Sequence, residues 1–227
     1  MNKMKPLVYL TAFLLSGCAP VKKNENVDHI ILAINNLEKG MAQFKAATGI
    51  EPVFGGVHPD GFTHNALVAL NGETYIEIMA PRPDAKDVPE DFAKLETLTP
   101  AGWAVRTRTK EKLKTSGFAV TENHPGSRAK PDGSVLKWIT FRVDGHVEFP
   151  FFIQWGDSTL HPSASSPGGC RLKSLAVTNP DTQSLSQLND LLNLGLEVAE
   201  GNGSSMVLTL NTPKGVVVFS EVVQPKK

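Results

Sequence analysis

From residue 27 to residue 34 the chain is apolar and rich in β-forming side chains, interrupted only by Asp28 and His29. The next apolar positions, Leu37, Met41 and Phe44, change to helical spacing, with Asn36 placed to cap the helix and Gly49 to end it. Residues 51–55, 65–70 and 74–79 read as three further strands, the last two joined through a turn at Asn71-Gly72. The order is strand, helix, strand, strand, strand.

That order returns twice. Residues 103–107 read as a strand, 110–116 as a short helix closed by Gly117, and 118–122 as a strand. A basic loop then reaches Gly133 before strands at 135–143 and 149–155. After a Ser/Pro/Gly-rich linker at 157–169, residues 171–178 form a strand, and Leu185, Leu188, Leu191 and Leu192 mark one face of a helix ended by Gly195. Strands at 196–199, 205–210 and 216–222 complete the third set. Each βαβββ unit has a single sheet with one apolar face to cover, and pairing two units is the direct way to cover it. The expected architecture is α+β: paired βαβββ units at 27–81 and 101–157 forming a cup-shaped mixed sheet over 27–157, with a third, smaller βαβββ-like unit at 168–223 packed on it.

Composition narrows the partners. Of 227 residues 41% are hydrophobic, enough for a sizeable core, and Lys+Arg and Asp+Glu are both 23. With no net charge there is no global positive field, so a nucleic-acid partner is not expected. The two cysteines, Cys18 and Cys170, are too few for a disulfide framework. Cys170 opens an apolar run and reads as a buried small side chain.

The first residues have the layout of an export signal: Lys3 and Lys5, an apolar run from Leu7 to Leu15, then Ser16, Gly17 and Cys18. The run is far shorter than the ~20 residues of a spanning helix. Leu15-Ser16-Gly17-Cys18 resembles the bacterial lipobox. That resemblance implies removal of 1–17, lipidation of Cys18 with palmitate-type acyl chains, a tether at 18–26 and a membrane lipoprotein of the cell envelope. The non-Asp residue Ala19 then implies the periplasmic face of the outer membrane in a two-membrane source.

Three stretches carry a second resemblance. Val27-Asp28-His29-Ile30-Ile31-Leu32-Ala33, Gly61-Phe62-Thr63-His64-Asn65-Ala66-Leu67 and Thr74-Tyr75-Ile76-Glu77-Ile78-Met79-Ala80-Pro81 are similar to the glyoxalase-like branch of the vicinal oxygen chelate superfamily. Gly102-Trp103-Ala104-Val105-Arg106-Thr107 and Pro150-Phe151-Phe152-Ile153-Gln154-Trp155 fit its second half. The resemblance implies a divalent metal (Zn, Fe, Mn, Ni or Co) at the floor of the cup, held by His29, Glu77 and Gln154, and a lyase or isomerase in which Glu77 is either ligand or base. Strand alternation lets His29 and Glu77 point inward. Residues 101–104, which match His29 in the second unit, offer no ligating side chain.

Plainer readings stand beside these. His29 and Glu77 can pair across neighbouring strands without a metal, and His64 can cap the loop at 58–63 instead of touching a ligand. His64, Asn65, Arg106, Trp103 and Trp155 are candidate substrate contacts, Arg106 for a carboxylate, although aromatic residues more often belong to the core and Arg108 reads as a solvated strand end. The loop at 124–133 reads as a mobile basic rim. Two functions remain: an envelope-anchored enzyme acting on a small molecule, or a non-catalytic module that binds or sequesters one. A purely structural lipoprotein fits less well, because the polar motifs converge on the presumed cleft.

Overall fold

The computed structural model describes residues 26–58, 62–107, 110–130, 132–146, 148–157 and 160–220. Its first unit follows the expected order: β1 (Val27–Ala33), α1 (Leu37–Thr48), β2 (Val53–Val57), β3 (Thr63–Ala69) and β4 (Tyr75–Pro81). Helix α1 begins where Asn36 Oδ1 accepts from the Lys39 amide at 2.8 Å, and it ends at Gly49, whose φ of 84° suits a residue without Cβ. It buries Leu37 and Phe44 against the sheet. Full burial of a side chain such as Phe44 contributes roughly 1.5–3 kcal/mol.

After a short helix α2 (Glu90–Ala93), the second unit repeats the scheme with β5 (Thr99–Arg106), α3 (Glu111–Thr115), β6 (His124–Ala129), β7 (Val135–Arg142) and β8 (Phe151–Trp155). In each unit the first strand pairs in parallel with the last, β1 with β4 and β5 with β8, and β1 and β5 join the two units antiparallel. The sheet order, β2-β3-β4-β1-β5-β8-β7-β6, is therefore a duplication about the β1/β5 seam.

Two expectations change in this unit. Residues 118–122 form no strand; Val120 makes only an isolated bridge to Val143. The basic segment at 124–133 is not a loop over its first part, because residues 124–129 form β6, antiparallel to β7. Pro125 is tolerated there because β6 is the edge strand of the sheet, where a missing N–H costs no ladder bond on the outer side. Gly126 is matched to Trp138 across the ladder, and a Cβ on it would lie 2.3 Å from the indole Nε1. The missing side chain makes room for that ring.

The sheet curls until its two edges meet. The Arg128 guanidinium on β6 donates to the Gly55 carbonyl on β2, and the two strands touch at Gly56. There φ is 140° and a Cβ would fall 2.8 Å from the Ala129 carbonyl oxygen, so both backbone and packing require glycine. The result is a nearly closed cup instead of an open trough.

The third unit comprises β9 (Arg171–Asn179), α4 (Thr182–Leu192), β10 (Glu197–Glu200), β11 (Ser205–Thr212) and β12 (Gly215–Ser220). Its element order matches the other two, but its pairing does not: in the sheet β10-β9-β11-β12 the first strand sits beside the second and third strands. Order along the chain does not dictate pairing, and here the β9-α4-β10 crossover closes locally. The unit shares one core with the cup. Phe219 stacks on Phe44 at 5.8 Å, and Leu175 and Leu208 are buried in the same cluster as Trp103 and Val105. Among the described residues no helix is long and apolar enough to cross a membrane. Cys18 lies outside the described residues, and Cys170 is a buried free thiol.

Candidate active site

The site starts from an irregularity in β1. Between Val27 and His29 the register against β5 slips, so that Asp28 is an extra residue in the strand. Its carboxylate is fully buried and draws four donors. His29 Nδ1 donates to Oδ1 at 2.8 Å, while Arg106 Nε, Trp155 Nε1 and His161 Nε2 each reach Oδ2 at 3.1 Å. His161 caps the short helix Pro162–Ser165 in the linker, where its Nδ1 accepts from the Ser163 amide, so the proton sits on the nitrogen facing Asp28. Burial opposes charge on Asp28, but the hydrogen bonds from His161 and His29 outweigh it and hold the carboxyl far below its ordinary range. With Nδ1 tied to Asp28, His29 presents Nε2 to the interior.

Glu77 occupies the floor of the cup in a cavity of about 200 Å³. His29 Nε2 lies 3.5 Å from its Oε2 and His58 Nε2 lies 3.4 Å from its Oε1. Asn65 Nδ2 donates to Oε1 at 2.6 Å and approaches His58 Nε2 at 3.3 Å. The amide must turn its NH₂ to the carboxylate, since the opposite orientation would set oxygen against oxygen. Burial again opposes the charge. The imidazoles of His58 and His29, the Asn65 donor and the Arg128 charge prevail, and Glu77 is held below the usual carboxylate range. Burial pushes His58 down, with Glu77 only partly offsetting it. The other ring nitrogen of His58, Nδ1, lies 2.8 Å from Thr63 Oγ1.

The walls are aromatic on one side and cationic at one point. Tyr75 stacks on the His29 ring at 4.7 Å, Phe151 meets it edge-on at 5.3 Å, and Trp138 and Trp155 cross at 5.6 Å. Burial, reinforced by Asp28 and Glu77, raises the Tyr75 phenol well above its ordinary value. Arg128 also lines the cavity, and one of its N–H groups holds Gly55. The floor therefore offers an ionised carboxylate, two imidazoles and one guanidinium inside an apolar shell.

The residues singled out from sequence divide accordingly. His29, Glu77, Asn65 and Trp155 converge on the cavity. Gln154 does not: Phe151, Ile153 and Trp155 take the inward positions of β8, and alternation turns Gln154 outward, where it is exposed. Arg106 is engaged by Asp28 and by Glu73, whose carboxylate accepts from Nη1 at 2.6 Å, so it fixes Asp28 and does not line the cavity. His64 faces away from its neighbour Asn65, is buried, and packs edge-on to Phe54 at 6.2 Å. Trp103 is in the core, its indole Nε1 enclosed with no hydrogen-bond partner among the described residues.

The expected His29, Glu77, Gln154 ligand set is therefore not assembled. No group of three or more His, Cys, Asp or Glu side chains among the described residues could hold a metal ion. The two imidazoles face separate oxygens of Glu77, and the second unit lines the cavity with Arg128, Trp138, Phe151, Ile153 and Trp155, a guanidinium and apolar or aromatic side chains. This donor set does not fit a resident divalent ion.

Four residues of the site escape the sequence pattern. Asp28 gives a signal, as a charge inside an apolar strand run. His58 follows Gly55-Gly56-Val57 with no periodicity to place it, Arg128 is disguised by the Pro125-Gly126 pair, and His161 lies in a linker.

The family model described as "Glyoxalase-like domain" matches residues 27–192. The chain belongs to the glyoxalase-like domain family. The matched segment runs through the cup and on to the end of α4. No curated protein matches the sequence. Among solved structures, a hypothetical protein from Staphylococcus aureus superposes with a TM-score of 0.56 at 19% identity, covering 86% of this chain and 84% of that one. Methylmalonyl-CoA epimerase from Mycobacterium tuberculosis gives 0.42 at 15% identity, over 57% of this chain and 86% of that one. A hypothetical protein from Bacillus halodurans C-125 gives 0.43 at 13% identity, over 61% and 98%. At 19% identity the likeness to the Staphylococcus aureus protein is one of fold.

Proposed function

We propose that this glyoxalase-like protein takes a small carbonyl compound bearing a carboxylate into its cup and moves a proton on the carbon next to the carbonyl, with Glu77 as the base. The observation that carries the reading is the buried, ionised Glu77 carboxylate with Arg128 on the same cavity. The C–H bond breaks, its proton passes to a Glu77 oxygen, and the bonding electrons move to the carbonyl oxygen as an enolate. Arg128, always charged, attracts the ligand's carboxylate and offsets the developing negative charge. His29, oriented by Asp28, stands beside Glu77 to relay a proton back. The aromatic walls exclude water and strengthen each of these electrostatic contacts.

The test is deuterium incorporation at C3 of 2-oxobutyrate in D₂O, followed by proton NMR. Glu77→Gln is expected to slow the exchange by about 100-fold or more, the usual scale of a general base. Equal rates in the two proteins would overturn the assignment.

A second reading, sequestration without turnover, is favoured by the four aromatic side chains lining the cavity. It predicts binding by wild type with no exchange above the uncatalysed rate. The lipobox-like Leu15-Ser16-Gly17-Cys18 supports anchoring in the cell envelope through acyl chains on Cys18. Incorporation of radiolabelled palmitate that is lost in Cys18→Ala is the expected result, and an unlabelled wild-type chain would refute it.

A further inference from the structure

The cavity around Glu77, at about 200 Å³, is small for a ligand site, since such sites usually hold roughly 300–1,000 Å³. A second hollow of about 310 Å³ opens beside it, between the cup and the third unit. Three side chains, Ile31, Met79 and Phe151, line both. The two spaces together reach the ordinary range, and their shared lining is wholly apolar.

Gly102 lies where they meet, opposite Ile31 in the β1/β5 register. Its φ is not in the left-handed region, and an added Cβ would meet nothing nearer than Ile31 Cδ1 at 3.8 Å. Neither backbone nor packing requires glycine there. A side chain on Gly102 would project beside Ile31, one of the three side chains that stand between the two spaces. Beyond Ile31 the third unit supplies Val177, Met206 and the hydroxyls of Ser204 and Ser205, and the second unit adds Trp103 and Phe149 with Arg142 and Glu148 as the charged part of the lining. Met79 follows Glu77 by two residues on the same face of β4, so a molecule reacting at Glu77 must extend about 7 Å to reach the shared apolar stretch.

We infer that the ligand is elongated: a 2-oxo carboxylate or similar head at Glu77 and Arg128, and an aliphatic tail that passes Gly102 into the cleft formed with the third unit. This rests on Glu77 being the reacting end. It makes the third unit the part of the molecule that selects chain length.

The experiment titrates 2-oxobutyrate, 2-oxohexanoate, 2-oxooctanoate and 2-oxodecanoate into wild type, Gly102→Leu and Ser205→Phe by calorimetry. In wild type, Kd is expected to fall about fourfold for each methylene that enters the apolar cleft, levelling once the tail reaches the serine hydroxyls. Gly102→Leu, which plugs the passage, and Ser205→Phe, which narrows the cleft from the opposite wall, are expected to flatten that slope while leaving 2-oxobutyrate affinity within about twofold. A wild-type Kd independent of length, or an unchanged slope in both variants, would overturn the inference. The two proposals fail separately. Exchange of 2-oxobutyrate without a length slope removes the tail cleft alone, and a length slope without exchange removes the base at Glu77 alone.

Discussion

Asp28 carries more of the site than its absence from the cavity wall suggests. One extra residue in β1 places a carboxylate beneath His29, and donors from β5, β8 and the linker lock it there. A carboxyl held below its unfolded value stabilises the fold above about pH 3.9, and that contribution is lost as pH falls towards the folded pKa. Glu77 acts in the same direction. His58, depressed by burial, binds its proton more readily in the unfolded chain, so it erodes stability from about pH 6.5 downward. Melting temperature is therefore expected to fall in two stages on acidification, gently below about 6.5 and steeply below about 4. Asp28→Asn should cost about 3 kcal/mol at pH 7 in urea unfolding, because four donors lose their charged acceptor, and it should flatten the steep acid limb. A variant with the wild-type acid limb would show that Asp28 is not ionised against those donors.

Among the elements, β6 decides whether the cup is open or closed. Its hydrophobic pattern is weak and its Pro125-Gly126 pair reads as a loop, yet as an edge strand it can carry proline, and its glycine accommodates Trp138. Gly126→Val is expected to destabilise by about 1–3 kcal/mol through overpacking and to move the indole fluorescence of Trp138. Unchanged stability and emission would contradict this packing. The same strand shows where sequence reading stops. Central β1 and β4 are legible because both faces are buried and their residues run apolar, which also places His29 and Glu77 by alternation. At the edges, pairing is set by curvature and cross-strand neighbours, so His58 and Arg128 leave no local signature. Gln154 marks the opposite error: matching Glu77 in the second unit by sequence alone missed the register that turns it outward.

On the scale of the whole molecule, the duplicated half was legible in the order of elements, and the third unit only in part. Its βαβββ order is present, but its pairing differs from that of the cup, and it packs on α1 and β5 through Phe44, Phe219 and the shared core. Duplication has kept the scaffold, while the ionisable side chains lining the cavity come from the first unit except Arg128, which the second unit contributes from across the closed edge. On the proposed function Glu77 moves a proton and does not merely help to bind. Calorimetric affinity and solvent deuterium exchange of 2-oxobutyrate, measured side by side for wild type and Glu77→Gln, test it most directly. Expected are a Kd within about threefold and an exchange rate lower by about 100-fold or more; an exchange rate unchanged while binding weakens would show that Glu77 only binds.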